Sequence, residues 1–170
     1  MCIRDSYITV PHQGNSRESR EEADRIIAYV SLLLQGTVTD EHGITRALRE
    51  SDIIIVTPYN AQRRLITKLL RERRTDVRVG TVDKFQGQEA FVVFSSMASS
   101  AGKDVPRDIG FLFEQNRFNV AVSRARATTV LVCCPRLLDV HASSPAQMAL
   151  INLICAFVQR AGVDLSLIHI

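Results

Sequence analysis

The chain alternates between hydrophobic patterns of helical period and continuous apolar runs. Apolar residues at helical spacing over 23–34 and 65–70 predict two helices, each with one buried face. The runs at 53–56 and 90–97 are typical of strands covered on both faces of a parallel sheet. Helices alternating with buried strands predict a doubly wound α/β fold, mainly parallel, with flanking helices.

The remaining pattern completes this fold. Ser19 or Ser16 can cap the first helix, with Glu21 and Glu22 in its first turn. Residues 37–48 predict a small β-hairpin insertion in which His42 is a turn residue. Further elements follow at 7–10 (the end of a strand), 61–74 (the full second helix), 77–82 (a strand), 83–89 and 99–108 (loops), 116–126 (a helix), 128–133 (a strand), 135–140 (a turn) and 145–160 (a helix).

The short helix predicted over 116–126 carries candidate chemistry. Phe118, Val122 and Ala125 share one face that can be buried, whereas Arg117 and Arg124 share a polar face. Arginine suits a phosphate site because its planar guanidinium pairs phosphate oxygens bidentately. Two surface salt bridges are the alternative interpretation of this helix.

Ligands of doubly wound sheets bind at the carboxyl ends of the strands. We therefore expect a site at that edge, formed by Thr57, residues 83–89 and the loop before the arginine helix. No phosphate-binding Walker loop is available for it. Asp104 follows Gly102-Lys103 where Ser or Thr is needed, and Met97 stands where the first Gly should be.

The sequence at both ends of the chain predicts that these residues do not belong to the natural protein. Residues 1–6 and 165–170 can be encoded by reverse-complementary DNA strings that resemble a transposon-end sequencing adapter. We therefore predict that the protein-coding domain spans 7–164 and is a fragment of a longer gene.

Composition narrows the class of protein. The net charge of +3 is compatible with nucleic-acid binding without indicating it. Cys133, Cys134 and Cys155 lack metal-ligand spacing, which argues against structural zinc and favours buried thiols in a reducing, cytoplasmic setting. No apolar run approaches the roughly 20 residues of a membrane span.

The second helix has a strongly basic face. A solvated surface is the default interpretation of such a face, ahead of a nucleic-acid contact. Its cationic residues are Arg63, Arg64, Lys68, Arg71, Arg73 and Arg74.

Three segments together resemble motifs IV, V and VI of superfamily 1 helicases, with subgroup 1B as the nearest match. They are 56–62 (VTPYNAQ), 80–89 (GTVDKFQGQE) and 116–126 (NRFNVAVSRAR). The resemblance covers most of residues 7–160. It implies the second RecA-like domain of a P-loop NTPase helicase.

The resemblance implies roles at a nucleotide site. Arg124 would be the arginine finger, which stabilises charge on the γ-phosphate during phosphoryl transfer. Glu89 would lie near the ribose and γ-phosphate, and Gly87 would let the backbone approach closely. Gln86 would shape that loop, and Arg117 would brace the motif.

The resemblance also implies a track for a single strand of nucleic acid, which we expect to be DNA. Thr57 and Thr81 would hydrogen-bond its backbone without reading sequence, and Pro58 and Asn60 belong to the same track segment. Sequence does not separate DNA from RNA for such contacts.

The resemblance assigns the residues that would bind Mg²⁺ and most of ATP to a first RecA-like domain, and none of these residues occurs here. We therefore predict that the isolated chain neither hydrolyses ATP nor unwinds nucleic acid. One alternative is a non-catalytic nucleic-acid-binding or scaffold module, although a scaffold needs neither Glu89 nor Arg124. Another is an unrelated P-loop enzyme such as a nucleotide kinase, which the missing glycine-rich loop argues against.

Overall fold

A computed structural model describes residues 4–40, 42–85, 87–100, 123–139, 142 and 144–161. Within these residues one parallel sheet has the strand order β1-β7-β6-β4-β5. Its strands are β1 Arg4–Thr9, β4 Ile53–Val56, β5 Arg78–Gly80, β6 Ala90–Ser96 and β7 Ala125–Cys133. Parallel neighbours need crossover connections, so the predicted doubly wound α/β class is confirmed.

Three helices and a hairpin surround this sheet in the described part of the chain. The helices are α1 Arg20–Leu33, α2 Asn60–Glu72 and α3 Pro145–Arg160. The predicted hairpin is present as antiparallel β2 Thr37–Thr39 and β3 Thr45–Ala47. Asp40 closes its turn by accepting the backbone N–H groups of Ile44 and His42, each at 2.9 Å. These hydrogen bonds, led by that from Ile44, lower the pKa of Asp40.

Both faces of the sheet are covered, as the continuous apolar runs predict. Ile53 and Ile55 of β4 pack towards α1 and α2, whereas Ile54 and Val56 pack with Phe85 on the opposite face. On the same side as Phe85, α3 covers the carboxyl half of β7. Each fully buried Ile or Val contributes about 1.5–3 kcal/mol to folding.

Several boundaries differ from the prediction; α2, for example, ends at Glu72 and not at 74. β1 begins at Arg4, before the predicted start at 7, and residues 82–85 form a 3₁₀ turn in place of the end of β5. β7 begins at Ala125, so Ala125 and Arg126 lie in a strand and not on the helix predicted over 116–126. The reason is tertiary: Ala125 pairs with Ala90 of β6, and this ladder overrides the local helical period.

One residue of β1 fits its position poorly. Asp5 pairs in register with Thr129, yet its Oδ1 atom is buried and has no hydrogen-bond partner among the described residues. Burial raises the pKa of Asp5, and nearby Arg160 partly offsets that rise. A carboxylate held this way costs stability whenever it is ionised.

The predicted buried thiols are confirmed for Cys133 and Cys134, which are free and inaccessible, while Cys155 is half-buried. Burial raises the pKa of the Cys133 thiol, so it stays protonated and unreactive. The described helices include none that is long and apolar enough to cross a membrane.

Candidate nucleotide and nucleic-acid site

The predicted site residues fall at the two opposite ends of the parallel strands. We call these the carboxyl edge and the amino edge of the sheet. Thr57 follows β4 and Thr81 follows β5, which places both at the carboxyl edge. Glu89 precedes β6 and Arg124 precedes β7, which places both at the amino edge. The register pairs Val56 with Ser95 and Ala90 with Ala125, so about six residues, or roughly 20 Å, separate the edges.

The expectation that residues 83–89 lie at the carboxyl ends of the strands was therefore wrong for Glu89. The loop before the arginine helix, from residue 101 onwards, lies outside the described residues. The segment 81–89 begins at the carboxyl end of β5 and crosses back over the sheet to the start of β6. Phe85, which is 2% exposed, anchors this crossing segment against Gly80, where an added Cβ would lie 2.8 Å from the ring. One motif thus contributes residues to both edges.

Pairing of β4 with β5 brings the predicted track residues together. The backbone N–H of Thr57 donates to the carbonyl of Gly80 at 3.1 Å, which sets Thr57 beside Thr81. Asn60 is exposed, whereas Pro58 and Thr81 are half-buried. All four side chains therefore lie on one stretch of the carboxyl edge.

Thr57 differs from its neighbours because its side chain is fully buried. Its hydroxyl accepts the backbone N–H of Tyr59 at 3.5 Å, a local contact that holds the turn leading into α2. In this conformation the Thr57 hydroxyl orders the turn and does not face solvent.

Pairing of β6 with β7 brings the predicted catalytic residues together at the amino edge. The N–H of Ala90 donates to the carbonyl of Arg124 at 3.0 Å, which makes Glu89 and Arg124 neighbours across the ladder. Glu89 is exposed, and so is Gly87, which has a φ of 79° that a residue with a Cβ rarely adopts. Gln86 and Arg117 lie outside the described residues.

Arg124 is half-buried, and its Nε atom is buried with no hydrogen-bond partner among the described residues. A buried guanidinium nitrogen in this state is costly unless an acceptor completes it. A phosphate oxygen is a suitable acceptor, because phosphate pairs with arginine in a bidentate manner. The amino edge therefore fits the triphosphate end of a nucleotide.

A cation–aromatic stack supports the amino edge from the side of the hairpin. The guanidinium of Arg126 lies 4.7 Å from the centre of the Phe91 ring, and that of Arg46 lies 5.3 Å from it. Arg46 also forms a bidentate ion pair with Asp52, at 2.6 and 2.8 Å. This pairing lowers the pKa of Asp52. The hairpin is thus tied to the first residues of β7.

A buried polar network underlies the carboxyl edge and was not predicted. The carboxylate of Glu22 accepts hydrogen bonds from the Ser96 hydroxyl at 2.7 Å and from the Ala98 N–H at 2.9 Å. His12 Nε2 lies 3.0 Å from the other oxygen of Glu22, and both side chains are inaccessible to solvent. Ala98, held in this way, has a φ of 65°, which is unusual for a residue other than glycine.

The network continues to α2 and to the loop after β1. Gln62 donates to the Ser96 hydroxyl and to the Ser19 carbonyl, each at 3.0 Å. The Ser100 hydroxyl lies 2.7 Å from His12 Nδ1 and accepts the N–H of Asn15. These bonds join three parts of the chain that are distant in sequence: residues 12–22, α2 and the end of β6 with the residues after it.

The sequence holds one signal of this network. Gln62 shares its helical phase with Ile66 and Leu69, and Glu22 shares its phase with Ile26 and Val30, so both polar residues stand on buried stripes. Buried polar side chains require partners, which predicts a network without identifying its members.

Comparison with known proteins identifies the family of the chain. A family model described as an AAA domain matches residues 4–136. Together with the helicase relatives below, this match decides the family. The chain belongs to the superfamily 1 helicases, as their C-terminal domain.

Two relatives of this helicase domain carry helicase names. It is 38% identical over 112 residues to the DNA polymerase alpha-associated DNA helicase A of Schizosaccharomyces pombe, covering 66% of this chain and 15% of that protein. It is 36% identical over 121 residues to the human RNA helicase Mov10l1, covering 69% of this chain and 9% of that protein. The helicase domain thus spans a small part of each relative.

A solved structure shows the same fold. It is the C-terminal domain of a possible DNA helicase from Lactobacillus plantarum WCFS1, with a TM-score of 0.51 and 15% identity. The alignment covers 84% of this chain and 78% of that one. The RecA-like architecture of the helicase domain is therefore confirmed.

Proposed function

We propose that this domain is the C-terminal motor domain of an ATP-dependent, 1B-like nucleic-acid helicase or translocase. The proposal rests on the state of Arg124 at the amino edge. Arg124 lies beside Glu89 there, and its buried Nε has no acceptor among the described residues. An arginine finger completed by the γ-phosphate would supply that acceptor and stabilise charge during phosphoryl transfer.

The carboxyl edge is the proposed track for single-stranded DNA. Thr81, Asn60 and Pro58 would contact the backbone, and such contacts position a strand without reading its sequence. Thr57 would act through the turn that its buried hydroxyl holds. Backbone contacts of this kind can bind either DNA or RNA, so they do not by themselves select DNA. The preference for DNA is therefore a separate part of the proposal.

The two edges would be coupled through domain closure. ATP and Mg²⁺ would be held mainly by a first RecA-like domain, and Arg124 and Glu89 would engage the nucleotide when that domain closes on the amino edge. The segment 81–89 reaches both edges, so a displacement at Glu89 can reach Thr81 through about eight residues. By itself the chain is expected to show no ATPase activity.

The test uses the longer protein recovered from the same source DNA, with both RecA-like domains. Its ATPase rate is measured with and without single-stranded DNA, for wild type and for Arg124→Ala. We expect the strand to stimulate hydrolysis, and the substitution to cut kcat by about 10³-fold or more, as loss of an arginine finger does.

Arg136→Ala is the matched control, because this exposed arginine follows β7 at the opposite edge. Its kcat should stay within about twofold of wild type, the effect typical of a surface substitution. If Arg124→Ala behaves like Arg136→Ala, the finger is wrong. A wild type without any strand-stimulated hydrolysis would favour the non-catalytic scaffold. ATPase activity of the pure isolated chain would contradict the need for a first domain.

A further inference from the structure

The positive charge of the chain is concentrated on helix α2 and the two residues that follow it. The whole sequence has 21 Lys and Arg against 18 Asp and Glu. Residues 60–74 hold six of these cations and one acid, which leaves 15 cations against 17 acids elsewhere. The net charge is therefore +5 on this segment and −2 on the rest of the chain.

The cations of α2 project away from the core. Arg64, Lys68 and Arg71 are spaced i, i+4 and i+7, so they form one row along the helix, and all three are exposed. That row lies opposite the buried stripe that includes Ile66 and Leu69. With Arg63, Thr67 and Glu72, they line an open concavity of about 570 Å³.

This row has no ion-pair partner among the described residues, although Glu72 follows Lys68 by one helical turn. Like charges at i, i+4 and i, i+3 destabilise a helix by about 0.2–0.5 kcal/mol per pair. A surface needed only for solubility does better with both signs interspersed. Helix α1, on the same face of the sheet, is built that way, and its Arg20 pairs with Asp24.

The position of the row connects it with the proposed track. Helix α2 begins at Asn60, on the carboxyl edge, and its 13 residues run back along the sheet for about 20 Å. A strand leaving Thr81 and Asn60 would meet Arg64 first and then Lys68 and Arg71. Because the polymer backbone carries one negative charge per nucleotide, its charge complements such a row.

We infer that Arg64, Lys68 and Arg71 form a second nucleic-acid-binding surface, which holds the backbone of a single strand after it leaves the carboxyl edge. The inference rests on the proposed function of that edge. It adds a sequence-independent contact outside motifs IV, V and VI. Its partner is the phosphate backbone, so affinity should depend steeply on salt.

The test measures binding of the 170-residue chain to a fluorescent single-stranded DNA of about 16 nucleotides by anisotropy over a range of salt concentrations. The variant is Arg64→Gln/Lys68→Gln/Arg71→Gln, because glutamine keeps the helix propensity and removes the charge. Each phosphate contact with a single strand releases about 0.7 counterion. Because the variant loses three such contacts, the slope of log K against log[salt] should become shallower by about 2. The same relation predicts a loss of affinity on the order of 100-fold at 0.1 M salt.

The control triple is Arg25→Gln/Arg49→Gln/Arg160→Gln, which removes the same charge from exposed positions outside α2. It should change affinity by less than about threefold, because distant charges are screened at 0.1 M salt. Lys68→Gln alone should lower the slope by about 0.7. Circular dichroism of each variant checks that the helix content is unchanged.

Three outcomes decide the inference. The inference is supported if the α2 triple variant loses affinity and the control triple does not, and if this loss occurs with a strand of about 16 nucleotides but not with one of about 4. Equal losses for both triples, or unchanged binding by the α2 triple, overturn it and leave the proposed track intact. A wild type that binds no DNA overturns both the second surface and the track.

Discussion

The two edges of the sheet are built in opposite ways. At the carboxyl edge, Glu22, His12 and Gln62 are fully buried, and hydrogen bonds join them to the end of β6. At the amino edge, Glu89 is exposed, and Arg124 has a buried nitrogen without a partner among the described residues. At the carboxyl edge the buried polar groups are hydrogen-bonded to one another, whereas at the amino edge polar groups are left to which an external ligand can bond.

This contrast fits a division of labour. A track must hold its shape while a strand passes, and a satisfied buried network gives rigidity. A nucleotide edge must engage and release its ligand, which requires side chains whose bonding changes between states. The contrast predicts that substitutions at the carboxyl edge act mainly on stability, and those at the amino edge mainly on activity.

The largest expected effect on stability comes from Glu22→Ala. The substitution removes the acceptor of the Ser96 hydroxyl and the Ala98 N–H, and it leaves His12 Nε2 without its partner in the core. We expect a loss of about 3–5 kcal/mol in the free energy of unfolding, measured with urea.

Glu21→Ala is the neighbouring control, because Glu21 is exposed in the same first helical turn. Its loss should stay below about 1 kcal/mol, the value of a first-turn carboxylate. Similar losses for both variants would show that the carboxyl edge is not held by its buried network.

An intermediate effect is expected where the two edges are joined. The Cβ of Gly80→Ala would lie 2.8 Å from Phe85 Cε2 and 3.0 Å from Lys84 Cδ. Overpacking of this kind should lower the free energy of unfolding by about 1–3 kcal/mol.

Phe85→Leu, added to Gly80→Ala, provides the check, since a smaller side chain relieves that contact. The double variant should be more stable than the sum of the two single effects predicts. Simple additivity would mean that the ring does not anchor the crossing segment.

The smallest effect is a pH dependence at the amino edge. Arg46 lowers the pKa of Asp52 below its unfolded value, so the pair adds stability above the unfolded pKa, and that stability is lost as pH falls through the folded pKa. Arg46→Gln should weaken this dependence between about pH 5 and pH 3 by less than about 1 kcal/mol, because the Arg46 side chain is 34% exposed. The free energy of unfolding is measured across that range, and an unchanged profile would contradict the assignment.

Much of the fold follows from local pattern. The run Ile53–Val56 is typical of a strand covered on both faces, and α1, α2 and α3 follow from apolar period. Ser19 and Ser144 also cap α1 and α3. The helix predicted through Arg126 failed because pairing of Ala125 with Ala90 is a contact between residues distant in sequence. Local propensity does not contain that information.

For the candidate site too, the sequence predicts some features and only the tertiary structure decides the others. Motif content is enough to propose Thr57, Thr81, Glu89 and Arg124 as site residues, because residue type and order are properties of the chain. Their separation into two edges about 20 Å apart depends on strand direction and register, which exist only in the folded sheet. The partners of Glu22 were likewise decided by tertiary structure: a buried carboxylate demands donors, but only folding determines which segments supply them.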